Sequence, residues 1–261
     1  MAQAIFPPDR PPLPPSQRIA LKIDVETYRG TAQGVPRLVA PLRRHGPGAT
    51  FPFTLGAPRS GASLLRMGAR ALRKLGGHTL IAHYGFTTLL YGTVLPAPEI
   101  GRRCADVMRG VRDEGFEVGI HAWDSARWRP DAADAKAPWT SRQMQRAAER
   151  FQEIFGVPAR VHGATGWQMN AHAYRLTQRL GFDYCSDTRG THPFVPVVNA
   201  ELIACPQVPT TLPSLSELLA AEGTSLEAAA NALLQAAPGS DAPAGHLYTL
   251  AHFLDRKLLK P

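Results

Sequence analysis

The feature that most constrains the fold is a repeated alternation of amphipathic helices and short apolar segments, with a glycine at each junction. Apolar residues recur at helical spacing before Gly115, Gly156 and Gly181, and an apolar segment follows each glycine. Glycine often follows a helix because it adopts the left-handed conformation that ends it. Near-continuous apolar strands are typical of parallel sheets covered on both faces. The pattern predicts a βα-repeating α/β fold, with strands at 19–25, 49–55, 116–121, 159–163, 182–186, 202–208 and 247–252.

The length and the proline distribution indicate one domain with an N-terminal arm. A chain of 261 residues with 44% hydrophobic residues can bury one core, and α/β barrels commonly use about this length as a single domain. Six prolines fall within residues 7–15. We therefore expect a disordered or polyproline-II arm at 1–17 and a barrel domain at 18–261.

The charge and the absence of long apolar stretches bound the location and the partners. No stretch reaches the roughly 18 apolar residues of a membrane span, and residues 1–17 lack the apolar part of a signal peptide. The net charge of +8 favours an anionic partner. No basic helix with stacking aromatic residues supports nucleic acid. We expect a cytoplasmic protein, either soluble or peripheral at the inner membrane, without a nucleic-acid partner.

Residues 57–100 interrupt the alternation and are predicted to be an insertion after the second strand. Arg66, Arg70, Arg73 and Lys74 alternate there with leucines, and an apolar segment without acidic residues follows. One interpretation is a helix packed on the barrel. The other is an interfacial element whose basic residues bind lipid phosphates at an anionic membrane surface.

Polar residues are concentrated where the predicted strands end. In barrel-like α/β folds the carboxyl ends of the strands meet on one face, and that face carries the chemistry. We therefore expect one shared site at these ends. Its candidates are Asp24, Glu26, His121, Asp124, Thr165, Trp167, Ser186, Asp187, Arg189 and His252.

The three cysteines, Cys104, Cys185 and Cys205, are odd in number and lack metal-site spacing. They are predicted to be buried free thiols. The remaining histidines, His162 among them, are interpreted as surface or internally satisfied residues.

Five motifs in order carry a resemblance to a known family. They are Ile-Asp-Val-Glu-Thr-Tyr-Arg-Gly-Thr with Gly-Val-Pro-Arg-Leu from position 23, Glu-Val-Gly-Ile-His-Ala-Trp-Asp from 117, Ala-Thr-Gly-Trp from 164, Ser-Asp-Thr-Arg-Gly from 186 and Gln-Val-Pro-Thr-Thr-Leu-Pro from 207. Together they resemble the 4-deoxy-4-formamido-L-arabinose-phosphoundecaprenol deformylases of the polysaccharide-deacetylase (NodB-homology) superfamily. The resemblance implies a distorted (β/α)7 barrel.

The resemblance also implies residue roles. It makes Asp24 the general base, places Asp187, Arg189 and His252 in the catalytic machinery, and makes His121 and Glu26 ligands of a divalent metal such as zinc, cobalt or manganese. The predicted substrate-binding residues are Arg29, Trp123, Asp124 and Trp167. Arg189 is interpreted as steering Asp24, binding the substrate phosphate, or pairing structurally with Asp187, and Trp123 and Trp167 as either pocket walls or core.

Three positions depart from the family pattern. Glu26 stands where the family has a metal-binding aspartate, and Ser125 where it has a second metal-binding histidine. The last motif reads Thr249-Leu250-Ala251-His252-Phe253, in which the family's histidine position is Ala251. The chain also ends sooner than the family pattern does.

The resulting prediction is a metal-dependent hydrolase of a non-peptide carbon–nitrogen bond. Such a reaction needs an activated water, an oxyanion stabiliser and an acid for the leaving amine. The expected substrate is a formamido or acetamido sugar on a polyprenyl phosphate, within lipid A modification. The alternative is a catalytically impaired relative that binds the sugar-phosphate lipid or a partner protein.

Overall fold

A computed structural model describes residues 19–46, 48–61, 90–219, 225–236 and 246–251. The arm at 1–17, most of the predicted insertion and His252 lie outside the described residues. None of the described helices is both long and apolar enough to cross a membrane.

Strands and helices alternate along most of the chain, as the glycine pattern predicts. The strands are β1 Ile19–Asp24, β2 Ala49–Thr54, β3 Glu117–Ala122, β4 Val161–His162, β5 Tyr184–Cys185, β6 Val197–Val198, β7 Glu201–Leu202 and β8 His246–Ala251. The helices are α1 Val35–His45, which continues a π-helical turn at Gly30–Gly34, then α2 Ile100–Arg103, α3 Ala105–Asp113, α4 Ser125–Asp131, α5 Ala137–Phe155, α6 Ala171–Arg179, α7 Leu215–Leu219 and α8 Leu226–Ala236. A 3₁₀ turn spans Thr165–Trp167.

Six strands form one parallel sheet in the order β5-β4-β3-β2-β1-β8. Because all six run the same way, their carboxyl ends lie along one edge, as the predicted α/β barrel requires. Asp24 at the end of β1 pairs in register with Ala251 at the end of β8. The first and last described strands, β1 and β8, are therefore neighbours in the sheet, and both end at the edge that carries Asp24.

The predicted strand at 202–208 is wrong. Leu202 pairs antiparallel with Val197 in a separate two-stranded hairpin, while Gln207 makes one isolated parallel bridge to Cys185. Pro206 and Pro209 flank that bridge and cannot donate to a hydrogen-bonded ladder. The segment therefore follows the sheet edge without becoming a regular strand.

The core lies between the sheet and the helices. Phe51 and Phe53 on β2 are fully buried, and α5 contributes Phe151 to the same apolar cluster. All three cysteines are free and buried, which confirms that prediction. This core fixes the sheet, and the sheet in turn fixes the polar side chains at its carboxyl edge.

Candidate active site

Asp24 ends β1 with a buried carboxylate that is only partly satisfied. Within the described chain, its Oδ1 atom has no hydrogen-bond partner. The ammonium group of Lys22 lies 3.5 Å from Oδ1, and Nδ1 of His121 lies 3.7 Å from it. An unpaired buried carboxylate oxygen is costly unless something binds there. Asp24 is thus suited to accept a proton from a bound water.

Lys22 is a site residue that the sequence analysis missed. It is 2% exposed and donates to the backbone oxygen of Ser186 at 2.9 Å, joining the ends of β1 and β5. Lys22, Asp24 and Glu26 alternate along the chain, so that β1 directs Lys22 and Asp24 to the same face of the sheet. A lysine inside an otherwise apolar strand was the available signal.

His121 is the last but one residue of β3, and both of its ring nitrogens have a partner. Nδ1 lies 2.5 Å from the carbonyl oxygen of Gly163, which can only accept, so Nδ1 carries a proton and donates it. Nε2 lies 3.2 Å from Oε1 of Glu26. The carbonyl fixes the ring orientation and leaves Nε2 facing the carboxylate.

Glu26 lies just beyond β1 and is 6% exposed. Its Oε1 atom also accepts a 2.6 Å hydrogen bond from Nη2 of Arg129 on α4. Burial raises the pKa of Glu26, but the charge of Arg129 and the hydrogen bond from His121 outweigh burial and lower it to about 2. The carboxylate is therefore ionised at neutral pH. Nothing in the sequence alone pointed to Arg129.

The described residues do not fit the three-ligand metal centre that the resemblance implies. Catalytic zinc sites use three protein ligands and one open position. Here Glu26 Oε1 and His121 Nε2 converge, but the hydroxyl of Ser125 donates to the backbone oxygen of Glu26 at 3.3 Å. Arg129 already occupies Glu26 Oε1.

Asp187 lies in a second, closed network. Its Oδ1 accepts from His162 Nδ1 at 2.7 Å and from the Ala164 amide at 2.8 Å, and its Oδ2 accepts from Gln207 at 3.2 Å. Burial raises the pKa of Asp187, but the charge of His162 and these hydrogen bonds lower it overall. His162, Cys185 and Asp187 are close enough to hold a metal, but the carboxylate is already satisfied. His162 is thus an internally satisfied histidine whose partner the sequence did not reveal.

Arg189 lies between the carboxylate of Glu217 and the ring of Trp167. It donates to Glu217 Oε2 at 2.8 Å, and its guanidinium lies 5.0 Å from the centre of the Trp167 ring. The structural pairing of Arg189 with Asp187, one of three readings of this residue, is therefore wrong: Glu217 is the carboxylate that Arg189 contacts. Trp167 is half-buried, has a φ of 54° and donates to Thr210.

The other predicted substrate-binding residues have mainly structural contacts. Trp123 is 9% exposed under the guanidinium of Arg146, which favours packing over a pocket wall. Asp124 caps α4 through the Arg127 amide, and burial raises its pKa. Arg29 is half-buried where the chain enters the helical turn before α1.

The chain is similar in sequence to two curated proteins. Both are called "Probable 4-deoxy-4-formamido-L-arabinose-phosphoundecaprenol deformylase". The protein of Shewanella sediminis is 34% identical over 203 residues, which are 77% of this chain and 65% of the relative. The protein of Wigglesworthia glossinidia brevipalpis is 28% identical over 192 residues, 73% of this chain and 67% of the relative. The chain thus spans just under two thirds of the length of the first.

One solved structure supports the fold. A Mycobacterium smegmatis protein assigned to the polysaccharide deacetylases superposes with a TM-score of 0.54 at 16% identity, covering 92% of this chain and 79% of that one. No family model matches the chain. The predicted resemblance is confirmed: the chain has the fold of the polysaccharide deacetylases and is similar in sequence to the formamido-arabinose lipid deformylases.

Proposed function

We propose that the chain hydrolyses the carbon–nitrogen bond of a formamido or acetamido group on an amino sugar carried by a polyprenyl phosphate. The observation that carries the proposal is the buried Asp24 carboxylate at the carboxyl edge of the sheet, one oxygen of which accepts no hydrogen bond from the described residues. The similarity to relatives named as deformylases supplies the substrate class. The place in lipid A modification is proposed from the family resemblance of the sequence motifs alone.

In the proposed reaction, Asp24 Oδ1 takes a proton from water as the water oxygen attacks the carbonyl carbon. The carbon–nitrogen bond then breaks and the amine leaves with a proton. His252 is the candidate for donating that proton, although it stands one position after Ala251, where the family has its histidine. The products are the free amino sugar and formate or acetate. Lys22 and His121 hold the edge around Asp24 in place.

A second candidate function is binding of the same sugar-phosphate lipid without turnover. It is favoured by Ser125 at the position of an expected metal ligand and by Arg129 on the Glu26 carboxylate. Formate release from the 4-formamido sugar phosphate, followed by proton NMR, separates the two. Hydrolysis predicts formate and amine in equal amounts over many turnovers. Binding of the sugar phosphate without any formate would instead support the second candidate.

The anionic membrane surface remains a proposed partner. Arg66, Arg70, Arg73 and Lys74 lie outside the described residues, and the proposal rests on their sequence pattern. Each basic residue near an anionic surface contributes about 1 kcal/mol. Replacing all four by alanine should abolish flotation with anionic liposomes. The matched control replaces four exposed arginines elsewhere, Arg37, Arg44, Arg142 and Arg179. Equal flotation of both variants would reject the insertion as the membrane-binding element.

A further inference from the structure

Two nitrogens share one buried carboxylate oxygen at the centre of the site. Glu26 Oε1 lies 2.6 Å from Arg129 Nη2 and 3.2 Å from His121 Nε2. The Glu26 side chain is 7% exposed, whereas that of Arg129 is 45% exposed. The arginine therefore reaches in from the rim of the site to a carboxylate that lies inside it.

The spacing between Glu26 and His121 is that of two ligands around one cation. His121 Nδ1 donates to Gly163, so Nε2 is the ring atom that faces Glu26 Oε1: it donates to the carboxylate when it carries a proton and presents a lone pair when it does not. Two acceptors held 3.2 Å apart repel each other unless a proton or a cation lies with them. Ligand atoms about 2.0–2.1 Å from a tetrahedral zinc ion lie roughly 3.3 Å from one another. The pair thus retains metal-site spacing, although the positive group that reaches it is a guanidinium.

The fold provides a defined path for this arginine. Arg129 lies one turn after Ser125 on α4, whose first turn is capped by Asp124. Its side chain passes over Gly166, where an added Cβ would lie 3.1 Å from Arg129 Cγ and 3.3 Å from Nε. Gly166 has a φ of +63°, a conformation that favours glycine. The 3₁₀ turn therefore leaves room for Arg129 to reach Glu26.

We propose that the Arg129 guanidinium is the resident cation of this site, and that a divalent metal must displace it from Glu26 to bind. Arginine remains charged throughout the physiological pH range and donates to carboxylates in a fixed planar geometry, so it can hold Glu26 permanently. The inference goes beyond the proposed hydrolysis and does not depend on turnover.

The test is a calorimetric titration of the whole chain with zinc and with cobalt, in the absence of substrate. Arg129→Gln should raise the affinity at least about tenfold, since altered outer-shell support alone changes metal affinity by about 10–100-fold. Arg129→Lys, which keeps the positive charge, should gain less. Arg127→Gln is the matched control, because Arg127 lies on the same helix and faces Asp131 at 3.6 Å.

A double variant, Arg129→Gln with Glu26→Gln, should lose the gain if Glu26 is the ligand that Arg129 masks. Circular dichroism checks that each variant is folded, and Arg129→Lys provides a test if Arg129→Gln unfolds. The proposal is overturned if the wild-type chain binds one metal as tightly as Arg129→Gln, or if the gain persists without Glu26. A chain that lacks amide hydrolysis but shows the gain would leave this inference standing and reject only the hydrolase.

Discussion

Two buried carboxylate–histidine pairs lie at the carboxyl ends of the strands, and they differ in what completes them. Asp187 and His162 are joined at 2.7 Å, and neutral donors fixed by the fold occupy the remaining positions of the carboxylate. Nε2 of His121 lies 3.2 Å from Oε1 of Glu26, and the other group that contacts this oxygen is the half-exposed guanidinium of Arg129. Beside this second pair, one oxygen of Asp24 accepts no hydrogen bond from the residues that the structure describes.

The difference separates a structural network from a functional one. A fully satisfied buried network stabilises and rigidifies the fold, whereas an incomplete one leaves capacity for a ligand. We therefore call His162–Asp187 the closed pair and Glu26–His121 the open pair. Lys22 links them, because it lies near Asp24 and donates to Ser186, the residue before Asp187.

The largest expected effect is loss of stability at the closed pair. Asp187→Ala removes the acceptor for His162, Ala164 and Gln207 at once, leaving buried donors without a partner. Breaking a buried charged pair costs about 3–5 kcal/mol of unfolding free energy. Urea denaturation measures it, with the exposed Asp183→Ala as control, expected within about 0.5 kcal/mol of wild type. If Asp187→Ala and Asp183→Ala both lost only a small and similar amount of unfolding free energy, the closed pair would not be a structural network.

The open pair should contribute to the acid sensitivity of the fold. The pKa of Glu26 is lowered from 4.5 to about 2, so its stabilising contribution is complete above about pH 4.5 and is lost as the pH falls through 2. This contribution is on the order of 3 kcal/mol. Unfolding free energies of wild type and Glu26→Gln should therefore converge between pH 4.5 and 2. Parallel curves would mean that Arg129 and His121 do not hold Glu26 ionised.

A smaller gain is expected from restoring a ligand to the open pair. Ser125→His, alone and combined with Glu26→Asp, should raise zinc or cobalt affinity at least about tenfold, because a lost ligand costs more than the 10–100-fold of outer-shell support. Calorimetry measures the affinity, with Ser125→Ala as the control that removes the hydroxyl without adding a ligand. If wild type already binds one metal tightly and Ser125→His changes nothing, the ligand assignment is wrong, and His252 becomes the first alternative.

The sequence predicted the backbone of the site better than its contacts. The strands predicted at 19–25, 49–55 and 116–121 end within one residue of the carboxyl ends of β1, β2 and β3. This agreement is close because apolar segments and the glycines that end helices are local signals. The strand predicted at 202–208 does not form, because Pro206 and Pro209 cannot donate hydrogen bonds to a neighbouring strand. Asp24, Glu26 and His121 were predicted to meet because strand ends in a parallel sheet share one edge.

The partners of those residues could not be predicted in the same way. Arg129 lies 103 positions from Glu26, and His162 lies 25 from Asp187. Such pairs depend on how a helix or turn packs against the sheet edge, which no local pattern records. Lys22 was missed as well, although a lysine inside an apolar strand is visible in the sequence. The sequence thus indicated which strands carry the site, but not which charges balance it.

The most direct test compares the rate of hydrolysis in two variants. One is changed at Asp24, beside the open pair, and the other at Gln207, which contacts the closed pair. Asp24→Asn should slow formate release at least about a hundredfold, because general-base catalysis typically contributes 10²–10⁴-fold. Gln207→Met removes a contact of Asp187 in the closed network. This variant should release formate at the wild-type rate at any temperature where circular dichroism shows that it is folded. The assignment of Asp24 as the general base would be contradicted if Asp24→Asn hydrolysed the substrate at the wild-type rate. It would also be contradicted if folded Gln207→Met lost as much of the hydrolysis rate as Asp24→Asn.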